Sequence, residues 1–297
     1  MTKSLAIIGG GRVGRALGRS LREAGWKIVI VASRTDASSK KALRFIGGGR
    51  AITGLPATLT GAETILLTVP DDAIARVAEQ LAQTVGSELK GKVILHTSGA
   101  LDETVLRSLH ACGAATGSIH PMQTFTGVNV PPLEGKVFAI GGDELAIRMA
   151  RRIARTLGGV PVAIAAQKKP LYHAAGAFGA GLVLALEASG AQLLMESGLT
   201  RREAQRALLS LTRQVLDHYE KLGAQKAWTG PLSRGDYGVV AEHLKALQAV
   251  SPEFLAAYIA ASRLAARVLA HDPEAMLFEL DKISGTSQAT KVKRTEA

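Results

Sequence analysis

Four side chains in this 297-residue chain have the types and settings that proton transfer needs: Ser98, His120, Lys169 and His173. His120 ends an apolar stretch and precedes Pro121, so its backbone has little freedom. An imidazole with an ordinary pKa of about 6.5 would exchange protons there at cell pH. Lys169 and His173 stand four apart at a helix start and face the same way. A lysine beside a pocket can have its pKa lowered and serve as an acid. Ser98, followed by Gly99, could orient a substrate, and Arg234, close to Asp236, could grip a carboxylate with two parallel bonds. Such a set suits carbonyl reduction, which needs a proton or a cation for the oxygen and otherwise mainly positioning. Each group also has a plain structural alternative. His120 could fix its loop, Lys168 and Lys169 could simply begin a helix at its solvent end, and His173 could be a core histidine. Arg234 and Asp236 could pair to pin their loop.

These groups need a scaffold, and the beginning of the chain supplies its plan. Leu5 to Ile8 reads as a buried parallel strand, and Gly9, Gly11 and Gly14 follow in G-x-G-x-x-G spacing. A helix pattern comes next, with Val13, Leu17 and Leu21 on one face and a stop at Gly25. Gly9 allows the tight turn, Gly11 lets a pyrophosphate approach the backbone, and Gly14 lets the helix lie close on the sheet. Gly9, Gly10, Gly11, Arg12, Val13 and Gly14 are the expected cofactor cradle, with the amides at the helix start helped by the helix dipole. A second strand, Lys27 to Ala32, ends in Ser33 and Arg34. Where a free ribose hydroxyl would meet an acidic residue, this chain offers a hydroxyl and a guanidinium, which favours a 2′-phosphate and hence NADP. Val69 and Pro70, ending the strand that starts at Thr64, are expected to wall the cofactor, with Asp71 or Asp72 capping the next helix.

Further strands are expected at Lys92 to Leu95, Ala115 to Ile119, Val137 to Ile140 and Val160 to Ile164, with helices at Asp102 to Ala111 and Asp143 to Leu157. Two strand ends thus bring His96-Thr97-Ser98-Gly99-Ala100 and His120-Pro121-Met122-Gln123 to one edge of a sheet. From Lys168 onward the pattern is helical: Pro170 to Ser197, Thr200 to Leu222 with a Thr200–Glu203 capping box, Tyr237 to Val250, and Ser251 to His271. Ala174 to Met195 is apolar apart from Glu187 and rich in glycine. It reads as a central helix buried in its domain or in a dimer interface, not as a membrane span.

The formal net charge is +11. Residues 1–165 hold 20 Lys and Arg against 12 Asp and Glu, so the surplus follows the cofactor half and suits anionic ligands. Aromatic residues make up only 4%, and no nucleic-acid module is recognisable. A lone Cys112 and a first strand within five residues of Met1 give the expectation of a cytoplasmic protein without a leader. No cluster has metal-ligand spacing.

The glycine loop, His96-Thr97-Ser98-Gly99-Ala100, Ser118-Ile119-His120-Pro121-Met122-Gln123-Thr124-Phe125, Leu171-Tyr172-His173-Ala174-Ala175 and Thr229-Gly230-Pro231-Leu232-Ser233-Arg234-Gly235-Asp236 together resemble Rossmann-like proteins with a DUF2520 domain. That family is similar to dehydrogenases with a 6-phosphogluconate-dehydrogenase-like helical domain, among them pyrroline-5-carboxylate reductases and β-hydroxyacid and prephenate dehydrogenases. The resemblance implies an NADP-dependent oxidoreductase, commonly a homodimer, with ketopantoate-like oxo acids as one lead. It likens His120 to a histidine that contacts the substrate hydroxyl, and Lys169 with His173 to a pair that donates to the carbonyl and orients the substrate. Relatives usually carry an Asn where this chain has Gly179-Ala180-Gly181. The resulting expectation is an α/β Rossmann doubly wound domain over 1–166, an all-α substrate and dimerisation domain over 167–283 and a mobile tail over 284–297. The activity expected is hydride transfer with a small anionic carbonyl or imine compound. The alternative is an NADP-binding sensor or scaffold without turnover.

Overall fold

The computed structural model describes residues 3–285, and the expected tail lies outside them from residue 286 on. Among the described residues eight strands form one sheet: β1 (Ser4–Ile8), β2 (Lys27–Ser33), β3 (Arg50–Thr53), β4 (Thr64–Leu67), β5 (Val93–His96), β6 (Ala115–Pro121), β7 (Val137–Gly142) and β8 (Val160–Ala163). Their order is β3-β2-β1-β4-β5-β6-β7-β8, parallel throughout except for the antiparallel β6–β7 pair. Between them run α1 (Arg12–Glu23), α2 (Asp36–Ile46), α3 (Asp71–Val85), α4 (Arg107–Ala111) and α5 (Glu144–Thr156), followed by α6 (Lys169–Ala177).

Alternation along the strands explains the two layers. Leu5 and Ile7 of β1 belong to one buried cluster with Leu17 and Leu21 of α1, Ile46 of α2 and Met149 and Ile153 of α5. Ala6 and Ile8 belong to a second with Ile74 and Leu81 of α3 and Leu109 of α4. Such a doubly wound sheet places its ligand at the carboxyl ends of the strands, where the order reverses between β1 and β4.

The chain divides into two compact units, Met1–Gly181 and Leu182–Ala297. The division falls beyond the change of sequence pattern at Gln167, and α6 is bonded to β6 through Lys169–Ser118 and Tyr172–His120. The expected single helix from Pro170 to Ser197 is instead α6, a π-helical turn at Phe178–Leu182, and α7 (Val183–Glu196). No residue of α7 is buried, so the reading of a helix buried in its own domain is corrected. The second unit continues with α8 (Arg201–Leu222), α9 (Ala224–Ala227), α10 (Pro231–Arg234), α11 (Tyr237–Val250), α12 (Pro252–Leu269) and α13 (Pro273–Ser284). Thr200 and Glu203 form the reciprocal capping box at the start of α8. Val240, Ala266, Leu277 and Leu280 make the small core of α11, α12 and α13.

Candidate functional site

The start of α1 keeps its amides available. Gly11 is its N-cap, no side chain caps it, and no acidic residue stands in its first turn. The glycines around it differ in a telling way. A Cβ on Gly14 would lie 2.2 Å from the Gly9 carbonyl oxygen, and one on Gly10 would lie 2.5 Å from Ala42 Cβ. Gly9 has φ +112 and packs on the Thr68 and Val69 backbone. A Cβ on Gly11, by contrast, would meet nothing closer than the Thr68 oxygen at 3.9 Å. Protein packing therefore demands the outer glycines, while the space at Gly11 is left to a ligand. These residues fit a dinucleotide diphosphate. Arg12 is exposed at the helix start and Val13 packs on the core beneath it.

The loop is pinned from two sides. Ser33 Oγ accepts from the Gly10 amide at 3.1 Å, tying the end of β2 to the turn. Thr68 Oγ1 donates to the Gly9 carbonyl at 2.5 Å, tying on β4. Thr68 directly follows β4, and that position at the end of a buried strand is its only sequence signal. Arg34 is exposed, with no salt-bridge partner among the described residues. Val69 is half-buried and Pro70 exposed beside the loop. Pro70, not Asp71 or Asp72, is the N-cap of α3, and the helix has no side-chain cap.

Ile8, Leu67, His96 and Ser118 are register partners across β1, β4, β5 and β6. This single row runs from the glycine loop to the proton-transfer candidates over three strand spacings, roughly 14 Å. His96 is fully buried at its middle. Its Nδ1 accepts from the Ser98 amide at 3.2 Å, and its Nε2 lies 3.0 Å from the Asp102 carbonyl, so Nε2 carries the proton. Burial, with Lys169 nearby, pushes its pKa down to about 4. His96 is thus a neutral structural residue.

Ser98 is also committed. Its hydroxyl donates to Asp71 Oδ2 at 2.7 Å and accepts from the amides of Ala100 and Leu101. Instead of orienting a ligand, it fixes the loop that carries Gly99. That glycine is buried against two rings: a Cβ there would lie 2.7 Å from His173 Cδ2 and 2.9 Å from His120 Nε2.

His120 lies inside β6, which runs two residues further than its apolar pattern. Its Nδ1 is 3.0 Å from the Tyr172 hydroxyl, and its ring meets those of Tyr172 and His173 edge-on at 5.6 and 5.9 Å. Desolvation first, then the charges of His173 and Lys169, lower its pKa to about 4. The expectation of an ordinary imidazole exchanging protons at neutral pH is corrected accordingly.

Lys169 is 2% exposed, which removes the reading of a solvent-facing helix start. Its Nζ donates to Ser118 Oγ at 2.7 Å. Burial lowers its pKa to about 8, opposed by Glu103, Asp102 and Asp71. His173 is exposed one turn along α6. Ser118 and Tyr172 join the site by their spacing, not by their residue type. Ser118 is two residues from His120 on a strand, and Tyr172 three from Lys169 on a helix, so each shares a face with its neighbour.

Arg234 and Asp236 lie in the second unit, where they form an exposed salt bridge at 2.8 Å. Among the described residues no group of His, Cys, Asp and Glu could hold a metal ion.

Comparison with known proteins agrees with this architecture. A Rossmann-like domain model matches residues 2–121, and the model "Domain of unknown function (DUF2520)" matches residues 136–265. No functionally curated protein matches the chain. Among solved structures, BF3122 of Bacteroides fragilis, provisionally assigned as an NADP oxidoreductase, is 22% identical with a TM-score of 0.73, over 88% of this chain and 97% of that one. Protein TM1727 of Thermotoga maritima is 24% identical, TM-score 0.67, over 95% and 99%. A reductive aminase of Aspergillus terreus, solved with NADPH and ethyl-5-oxohexanoate, is 19% identical, TM-score 0.67, over 94% and 99%. At these identities the likeness is one of fold. The chain therefore carries a Rossmann-like domain followed by a DUF2520 domain.

Proposed function

We propose that this protein is an NADP-dependent oxidoreductase acting on a small anionic carbonyl or imine compound. The observation that carries the reading is the row from the uncapped glycine loop through His96 to Ser118, where a buried lysine waits. Gly10, Gly11, Arg12, Val13 and Gly14 would hold the diphosphate, and Arg34, with Ser33 beside it, a 2′-phosphate. When bound, the nicotinamide supplies or takes up the hydride. The protein's part is the proton. Lys169, held by Ser118, gives an Nζ proton to the substrate oxygen or nitrogen as charge develops there. The N–H bond of lysine breaks as the new O–H or N–H bond forms, and the neutral amine regains a proton from solvent. A pKa of about 8 leaves the lysine protonated at neutral pH yet ready to give the proton up. A buried lysine so tuned also favours turnover over a purely sensing or scaffolding role. The preference for an anionic substrate rests on Lys169 and on the basic surplus of the first half. A cytosolic setting fits the single free thiol of Cys112. NADPH oxidation with a panel of 2-oxo acids and cyclic imines tests the proposal. Turnover with members of that panel is expected, and its absence across the panel contradicts the substrate class.

We also infer that a second copy of the chain covers α7 and α8. Leu184 and Leu186 of α7 are 70% and 56% exposed, and Leu211 and Leu216 of α8 are 60% and 55% exposed. By length and composition alone the run Ala166–Glu196 could cross a membrane. Its Glu187 instead bonds to Thr212 of α8, and Gly190 abuts Leu208, as expected for helices packed on protein.

A further inference from the structure

Strand β6 and helix α6 meet in two rungs. Ser118 and His120 are two apart on the strand, and Lys169 and Tyr172 are three apart on the helix. The first rung is Lys169 Nζ to Ser118 Oγ, and the second is Tyr172 to His120 Nδ1. The His120 ring is held besides by His173 at its edge and by Gly99, whose missing Cβ is what leaves room for the Cε1–Nε2 side.

The second rung can be wired in two ways. Either the phenol donates to a bare Nδ1 and the ring proton sits on Nε2, or Nδ1–H donates to the phenol oxygen. In the second wiring the phenol proton and the bare Nε2 both go without a partner among the described residues. In the first, only the Nε2–H is left over. A phenol is also the better donor of the two groups, and an imidazole nitrogen the better acceptor.

We propose that Tyr172 is a positioning residue that donates to His120 Nδ1, so that His120 keeps its ring proton on Nε2 and presents a fixed neutral N–H donor beside Gly99. Two roles then separate. His120 holds the substrate's oxygen or nitrogen by a hydrogen bond without giving up its proton, and Lys169 supplies the proton that is transferred. Neutral imidazole suits this, because a preorganised donor costs no rearrangement when charge develops. The groups facing the ring keep it neutral: burial, His173 and Lys169 act against a second proton, and Asp71 alone acts for it. Burial also raises the Tyr172 hydroxyl to about 12, so the phenol retains its proton.

The catalytic consequence rests on the oxidoreductase reading, whereas the wiring does not. Nitrogen–proton correlation spectra of the histidine rings, recorded on the full 15N-labelled chain at neutral pH without cofactor, report which nitrogen is protonated. The His120 signals are assigned by their loss in His120→Gln. We expect a protonated Nε2 and a bare Nδ1 in the parent, and a mixture of both tautomers in Tyr172→Phe. A protonated Nδ1 in the parent, or one tautomer that Tyr172→Phe leaves unchanged, overturns the proposal. Acidification of the parent is a second check if that variant does not fold. The ring should stay neutral to about pH 5, and protonation near the ordinary histidine value contradicts the account. Failure of NADPH to bind, with the tautomer intact, would instead count against the proposed function.

Discussion

At the scale of single residues, the division of labour around β6 makes distinct predictions. Lys169→Met removes the proposed proton donor and should lower kcat by about 10²–10⁴-fold while NADPH affinity holds, as steady-state rates and a binding titration would read. In the parent, the reduction rate should fall as pH rises through about 8, because Lys169 must be protonated to donate. Gly99→Ala places a methyl group against His120 and His173 and should depress turnover without loss of cofactor binding. His96 governs stability on the acid side. Its folded pKa of about 4 lies below the ordinary 6.5, so the unfolded chain takes up the proton first. The stability is complete above about pH 6.5 and is lost as pH falls toward 4, by on the order of 3 kcal/mol for this group. Urea midpoints across that window measure it.

At the scale of elements, the glycine loop offers a sharp contrast. Gly14→Ala drives a methyl group into the Gly9 carbonyl and should lower the melting temperature. Gly11→Val adds a Cβ whose nearest protein atom is 3.9 Å away, so the melting temperature should hold while dinucleotide binding is lost. Calorimetry of both variants with and without NADPH separates the two effects. Strong periodicity made much of this architecture legible beforehand. β1, α1 and β2 show in Leu5 to Ser33, and α8 in its Thr200–Glu203 box. Weaker signals hid α2 and the short edge strand β3, and α13 follows Asp272-Pro273 after only a brief break. The site was half legible. His120 and Lys169 stand out by type, but the burial that detunes the imidazole and the lysine depends on contacts between residues some 50 positions apart. The partners Ser118 and Tyr172 were discernible only once strand and helix faces were matched.

At the scale of the whole molecule, the apolar face of α7 and α8 and the cofactor cradle each carry a test. Light scattering should give twice the mass of the chain, and Leu184→Glu with Leu186→Glu should shift it to a monomer. The proposed preference for NADP rests on an exposed guanidinium where an acidic residue would serve NAD. Arg34→Asp should therefore reverse the order of NADPH and NADH. The most direct measurement is a calorimetric titration of the parent and Gly11→Val with both cofactors. The account predicts that the parent binds NADPH more tightly than NADH and that Gly11→Val binds neither; equal or stronger NADH binding by the parent, or full NADPH binding by Gly11→Val, contradicts it.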